Sequence, residues 1–323
     1  MLASLLLSLT ILAASPESSV TAVADRELAN LTGHTGFAFC ELTEDGPQLL
    51  AGIRQDERFA IGSSFKLFIL GTLAKDVNEH RRDLANIMRL EADLIGPPHS
   101  ELADWPVGSP VTINTLALKM ISISDNTATD HLHYLLGRKR IEHRMRTMIG
   151  AHADWNIPLL NTREMTMLRD KKKNLPGIAY DKLDVAAKRA FLAKLDARAP
   201  DYESLDFDTA AYNVAEWYAT PLDMAHALAW LQQHTKEDQP SSPLREILAI
   251  DPKIPHDPAE WPYIGFKGGS EDQLLAGNWL LQHKTGRWYT LEIFYNNPDG
   301  KADQEKLLSA ITTIFGAISA SLK

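Results

Sequence analysis

Strand-like segments sit at the two ends of this chain, and the long stretch between them reads as helix. Near the start, TGFAFCEL and GPQLLAGI alternate as strands, joined by the polar turn Thr43-Glu44-Asp45-Gly46, a hairpin signal. From Trp261 strands return as WPYIGFKG, LLAGNWLLQH and RWYTLEIFYNN. Residues 17–31 read as an opening helix, and ADQEKLLSAITTIFGAISASL as a closing amphipathic one. From Ser63 to about Gln233 the pattern is helical, broken by loops such as GPPHSELADWPVGSP. Two end pieces that both need strand partners share one sheet. The order predicts an α/β (α+β) fold: a five-stranded antiparallel sheet flanked by N- and C-terminal helices. An all-α domain, residues 61–254, is inserted between the second and third strands. The sheet domain then comprises residues 25–60 plus 255–323.

Residues 1–24 read as a signal peptide. The apolar run from Leu5 to Ala14 is too short to span a bilayer and fits a secretory core segment. Small-residue cleavage options end at Ala22 and Ala24, although no Lys or Arg precedes the run. The expectation is a periplasmic or secreted protein with no stable membrane span after processing, and a cytoplasmic one if the segment stays. The net charge of -9 argues against nonspecific nucleic-acid binding, which runs on basic patches. Lys171-Lys172-Lys173 is a dense basic run and reads as a solvated face or loop. The single cysteine, Cys40, excludes an intrachain disulfide and reads as a small buried hydrophobe.

The chemistry starts at RFAIGSSFKLFILGTLA. From Phe65 to Leu73 this is apolar on every side, yet Lys66 stands inside it, three residues after Ser63. Burial lowers a lysine's pKa, and such a lysine can take a proton from a neighbouring hydroxyl. Positions i and i+3 share a helix face, and the free amides at a helix start favour developing negative charge. Ser-x-x-Lys alone is also consistent with a capping serine and a snorkelling lysine. Further on, SISDNTATDHL places Ser124-Asp125-Asn126 between two helical segments, as a helix cap or as a second hydroxyl and a carbonyl-holding amide. Phe266-Lys267-Gly268-Gly269-Ser270 puts a glycine pair on a strand, which marks a bulge or a close approach of a ligand to backbone.

In this order the three motifs resemble the active-site serine β-lactamases and penicillin-binding proteins, with their S-x-x-K, S-D-N and K-T-G signature. The resemblance is closest to class A β-lactamases and runs from about Gly33 to the C-terminal helix. It implies that Ser63 attacks an acyl carbon and that Lys66 is base or proton relay. It implies that the Ser63 and Ser270 amides form an oxyanion hole. Ser124 passes a proton to the departing atom, Asn126 holds a substrate carbonyl, and Lys267 supplies positive charge. Gly268 and Gly269 line the substrate's edge, and Trp105 either walls the site or packs in the core. The literal Lys284-Thr285-Gly286 lies between two strand-like runs and reads as a hairpin turn, so Lys267 is taken as the motif lysine.

Two departures matter. The motif's hydroxyl residue is Gly268, with Ser270 as a partial replacement, and LLAGNWLLQH carries no arginine to anchor a carboxylate. The Glu-x-x-Leu-Asn pattern that serves deacylation in class A enzymes is missing from ADWNIPLLNTREMTMLRD. Glu164 is the nearest carboxylate, and Asn161-Thr162-Arg163-Glu164 also has the form of a capping box. Glu216 is in a similar position ahead of a helix. His131 and His133 are two apart on a helix and face different sides, so no metal and no cofactor are expected. Three functions remain open. The leading one is a class A-like β-lactamase of the antibiotic-resistance kind that hydrolyses a β-lactam amide. The others are an esterase or peptidase-like acyl transferase, and a penicillin-binding protein that acylates without turnover. Each takes a small-molecule substrate.

Overall fold

The computed structural model describes residues 16–98, 100–170, 180–196, 202, 204–208 and 215–323. Helix α1 (Pro16–Leu28) leads into strands β1 (His34–Thr43) and β2 (Gly46–Ile53), then the short β3 (Phe59–Ala60). A 3-10 turn (Gly62–Phe65) carries Ser63, and α2 (Lys66–Asn78) follows. Next come β4 (Ile87–Arg89), β5 (Pro110–Thr112), α3 (Ile113–Ser122), α4 (Asn126–Leu136), α5 (Arg138–Ile149), α6 (Thr162–Leu168) and α7 (Val185–Asp196). The chain returns through β6 (Tyr218–Ala219), α8 (Pro221–His234) and α9 (Pro243–Leu248). It closes with β7 (Tyr263–Glu271), β8 (Leu274–Gln282), β9 (Trp288–Asn296) and α10 (Gln304–Ser321).

The expected sheet is present. Its strand order is β2-β1-β9-β8-β7, every pairing antiparallel, so the two ends of the chain meet where β1 pairs with β9. Alternation along β1 divides its side chains. Phe37 and Phe39 pack with Val20, Ala24, Ile314 and Phe315 of α1 and α10. Ala38 and Cys40 meet Ala225 of α8, and their small size lets that helix lie close to the sheet. Cys40 is fully buried, which pushes its thiol pKa up. The helical layer has its own core, built around Phe65, Leu70, Leu116, Leu132, Met145 and Leu228.

Several details differ from the sequence expectation. Ser63 is not in the α-helix but in the 3-10 turn before it; Lys66 is the first α-helical residue. The inserted segment 61–254 also carries three short strands, β4 paired with β5 and β6 paired with β3, which lies just ahead of the insert. The glycine pair lies on a strand as expected, but β7 runs on past Gly268 to Glu271, and its register with β8 is unbroken there, so the pair does not form a bulge. The signal-peptide core and Lys171–Lys173 lie outside the described residues. The cleavage options at Ala22 and Ala24 fall within α1, whose Val20 and Ala24 are buried. Among the described residues, no helix is long and apolar enough to cross a membrane.

Candidate active site

The α4 N-terminus is set by Asp125, whose side chain accepts from the Ala128 amide at 2.8 Å. Its other contacts tie down the loop before α3, accepting from Ser100 Oγ at 2.9 Å and the Leu102 amide at 3.0 Å. Ser124, just ahead of this cap, has φ +59, in the left-handed region that non-glycine residues rarely enter. In this conformation its carbonyl and its hydroxyl both meet Lys66: Nζ donates to Ser124 O at 2.6 Å, Ser124 Oγ at 3.0 Å and Asn126 Oδ1 at 2.9 Å. Lys267 approaches the same hydroxyl from β7, with Nζ 3.1 Å from Ser124 Oγ and 2.6 Å from Gly268 O. Ser124 Oγ is therefore held between two lysine amines that come from opposite ends of the chain.

Both lysines are buried. Burial pulls Lys66 down to about 7, opposed by the charges of Asp130 and Asp125. Burial, reinforced by the charge of Lys66, holds Lys267 well below the ordinary lysine value. Asp130, one turn beyond Asn126 on α4, accepts from the Thr162 and Arg163 amides at 2.8 and 3.1 Å, which satisfies free donors of the first turn of α6. Burial lifts its carboxyl to about 6.

Ser63 is half-buried, and its neighbour Ser64 fully so. Ser64 Oγ accepts from Asn278 Nδ2 at 2.8 Å, and the same amide donates to Lys267 O at 2.8 Å. Asn278 thus ties the 3-10 turn to β7. The sequence reading missed it, though an asparagine in the apolar strand LLAGNWLLQ was the available signal. Gly269 makes the contact tighter still. A Cβ there would lie 2.0 Å from Ile61 O and 2.7 Å from the Ser63 amide nitrogen. Ser270 follows on the exposed end of the strand.

The remaining sequence candidates sit in other surroundings. Glu164 completes a capping box with Asn161, accepting from its amide at 2.9 Å while Asn161 Oδ1 accepts from Glu164 N at 2.7 Å. The fully buried carboxylate also takes Arg138 Nη1 at 2.9 Å and Nη2 at 2.5 Å. Glu164→Ala should therefore cost about 3 kcal/mol of stability in urea denaturation, the scale of a broken buried ion pair, and Glu164→Gln less. Acyl-enzyme accumulating in Glu164→Gln without a stability loss would instead assign Glu164 to the hydrolytic water. Glu216 is buried against Arg169 at 3.0 Å and accepts from the Trp217 amide at 2.8 Å. Burial, then the nearby Glu271, raise its pKa well above the usual carboxylate range. Trp105 is 39% exposed, on the loop that Asp125 anchors. Lys284 is in the β8–β9 turn, where Gly286 has φ +83.

The family model of the beta-lactamase enzyme family matches residues 17–318, and the chain belongs to that family. Beta-lactamase 1 of Streptomyces cacaoi is 28% identical over 164 residues, 48% of this chain. The matched stretch spans about half (46%) of that relative's length. A beta-lactamase structure from Sphaerobacter thermophilus DSM 20745 is similar with TM-score 0.63 and 20% identity, covering 94% of this chain and 97% of its own. PBP-A is similar with TM-score 0.60 and 17% identity, covering 94% and 96%. At these identities the two structures speak for the fold alone.

Proposed function

We propose that the protein is a class A-like serine hydrolase that forms an acyl-enzyme on Ser63 and cleaves the amide of a β-lactam. The observation that carries this reading is the position of Ser124 Oγ, 3.0 Å from Lys66 Nζ and 3.1 Å from Lys267 Nζ. A hydroxyl between two amines can receive a proton from one side and pass it on. In the reaction, Ser63 Oγ bonds to the substrate carbonyl carbon and its proton goes to neutral Lys66. The Ser63 and Ser270 amides hold the oxyanion. The C–N bond breaks as Ser124 hands the proton to the departing nitrogen and is reprotonated from Lys66. Water then releases the acid. Lys267 supplies positive charge beside Ser124, and Asn126 orients Lys66 through Oδ1; its Nδ2 donates to Pro98 O at 2.9 Å, which leaves one N–H for the substrate carbonyl. The apolar Leu5–Ala14 run supports export, the setting in which such a substrate is met.

A second reading, ester cleavage by the same residues, is favoured by Gly268, which leaves the motif without its carboxylate-holding hydroxyl. The commitment of Glu164 to Arg138 and the α6 cap favours slow deacylation. Intact-mass spectra taken over time with a penicillin and a cephalosporin separate these. An adduct on Ser63 that appears and clears supports the hydrolase. One that stays makes the protein penicillin-binding, and no adduct turns the assignment to esters.

Two predictions belong to this reading. Lys66 must be neutral to accept a proton, so the acylation rate should rise with pH through about 7 and level off above it. Because the folded value lies below the ordinary 10.5, the buried lysine is destabilising below pH 7, and that cost fades between pH 7 and 10.5. A rate that falls across pH 7 would remove Lys66 as the base. The second concerns the two candidate motif lysines. Lys267→Ala should slow acylation on the order of 100-fold, while Lys284→Ala leaves it unchanged. The reverse ranking would overturn the choice of Lys267.

A further inference from the structure

Beside Ser124 the polar centre opens into an apolar cavity of about 400 Å³. It begins at Ser124, Lys267 and Gly268 and reaches Leu308 and Ile311 on α10, past β7, one of the two edge strands of the sheet. Ile123, Ile247 and Leu248 line it, together with the rings of Phe266 and Trp279. Ile123 and Leu308 are 48% and 45% exposed, so two large apolar side chains stand open to water along its walls.

The glycines explain the aromatic floor. Gly268 pairs with Gly277 across β7 and β8, and Phe266 pairs with Trp279. A Cβ on Gly268 would lie 2.7 Å from the Phe266 ring, and one on Gly277 would lie 2.3 Å from the Trp279 ring. Each ring thus lies over the glycine two residues away, and the two rings meet at 4.9 Å. The space that a hydroxyl-bearing side chain at 268 would need is filled by carbon. The charged residues in the lining besides Lys267 are Asp251 and Lys253, which pair with each other at 2.5 Å. Lys267 already donates to Ser124 Oγ and Gly268 O. A carboxylate entering here would lose its water for one amine with two acceptors already in place and for the uncharged polar residues Ser122, Ser124, Ser270 and Gln304, whereas an apolar group gains by burial against the carbon walls.

Ser124 hands its proton to the departing atom, so the departing part of the substrate lies on the Ser124 side, in this cavity. We infer that the cavity is the leaving-group subsite and that it favours an uncharged, apolar leaving group, an alkyl or aryl alcohol or a lactam nitrogen whose ring bears no free carboxylate, over a carboxylate-bearing one such as a penicillin or cephalosporin nitrogen, which acylates Ser63 more slowly. The inference rests on the reading of Ser63 as nucleophile. For an ester, the Ser63 Oγ–carbonyl bond forms and the bond to the leaving oxygen breaks. The Ser63 proton reaches that oxygen through Lys66 and Ser124, and water then frees the acid.

The test uses two esters of phenylacetic acid, one of 4-propylphenol and one of 3-(4-hydroxyphenyl)propanoic acid. They share the acyl group, and their phenols differ only in a carboxylate remote from the ring. Acylation is read as the burst of released phenol and as adduct mass, so slow deacylation does not hide it. A fluorophosphonate probe of Ser63 runs alongside. The propylphenyl ester should acylate at least about tenfold faster, the scale of hydrophobic-pocket discrimination. Ile123→Lys should narrow that ratio at least about threefold. Equal rates, a preference for the carboxylate ester, an unmoved ratio in Ile123→Lys, or no acylation by either ester of a Ser63 that the probe labels would each overturn the inference. A Ser63 that neither the probe nor any ester modifies would instead overturn the assignment of the nucleophile.

Discussion

Ser63→Ala is expected to abolish the covalent adduct outright, with a rate loss on the order of 10⁶-fold, as for other lost nucleophiles. The adjacent serine makes the prediction discriminating. Ser64 is fully buried, and its hydroxyl accepts from Asn278 Nδ2. Ser64→Ala removes that acceptor and so one tether of the 3-10 turn to β8, while β7 and β8 stay joined by their ladder and by the Asn278 bond to Lys267 O. That variant should lose about 1–2 kcal/mol of stability and keep its adduct. Intact mass after exposure to a β-lactam or an active ester reads both proteins. An adduct that survives Ser63→Ala and disappears in Ser64→Ala would move the nucleophile by one residue and break the assignment of every group around it. The half-buried position of Ser63, against the sealed one of Ser64, is why we expect the opposite.

Much of the architecture was legible because the hydrophobic periods were clean. Alternation in TGFAFCEL and RWYTLEIFYNN marked strands, and the helical pattern between the two ends forced an insertion. A sheet shared by the two ends follows from those two facts; that β1 pairs with β9 within it is seen only in the structure. The Lys66, Ser124 and Lys267 constellation was legible as three separate motifs. What joined them was not. The left-handed backbone of Ser124 aims a carbonyl and a hydroxyl at one lysine, and SISDN does not encode that torsion in any local pattern. Asn278 was hidden for a different reason. A single amide in an apolar strand reads as a defect until its neighbours across the sheet are known. Glu164 shows a local signal prevailing: Asn161-Thr162-Arg163-Glu164 had the form of a capping box, and the structure contains that box, reinforced by Arg138, which no local pattern ties to it. Gly268 looked like the loss of a hydroxyl. In three dimensions it is the seat of the Phe266 ring, a role that depends on Gly277 and Trp279 across the strand pair.

The same logic makes Gly269 the most sensitive backbone position near Ser63, and Gly269→Ala should slow acylation on the order of 10²–10³-fold, the effect of a spoiled oxyanion hole. A methyl group at this position would lie 2.0 Å from Ile61 O, 2.7 Å from Ser63 N and 3.0 Å from the Gly62 carbonyl carbon. All three are backbone atoms, so no side chain can swing aside to make room. Either β7 moves away from the 3-10 turn or the turn moves away from β7. Each displacement separates the amides of Ser63 and Ser270, which the proposed mechanism needs on one oxygen. The overpacking should also cost about 1–3 kcal/mol. Gly286→Ala controls for glycine loss as such. Gly286 has φ +83 in the β8–β9 turn, and nothing lies within 4 Å of the site of its Cβ. That variant should lose about 1 kcal/mol through backbone strain alone and acylate at the parent rate. Stopped-flow acylation together with a melting curve on each protein separates the two effects. If Gly269→Ala is destabilised yet acylates as fast as the parent, the oxyanion is not held between the turn and β7. The developing charge would then rest on the amines around Ser124 instead.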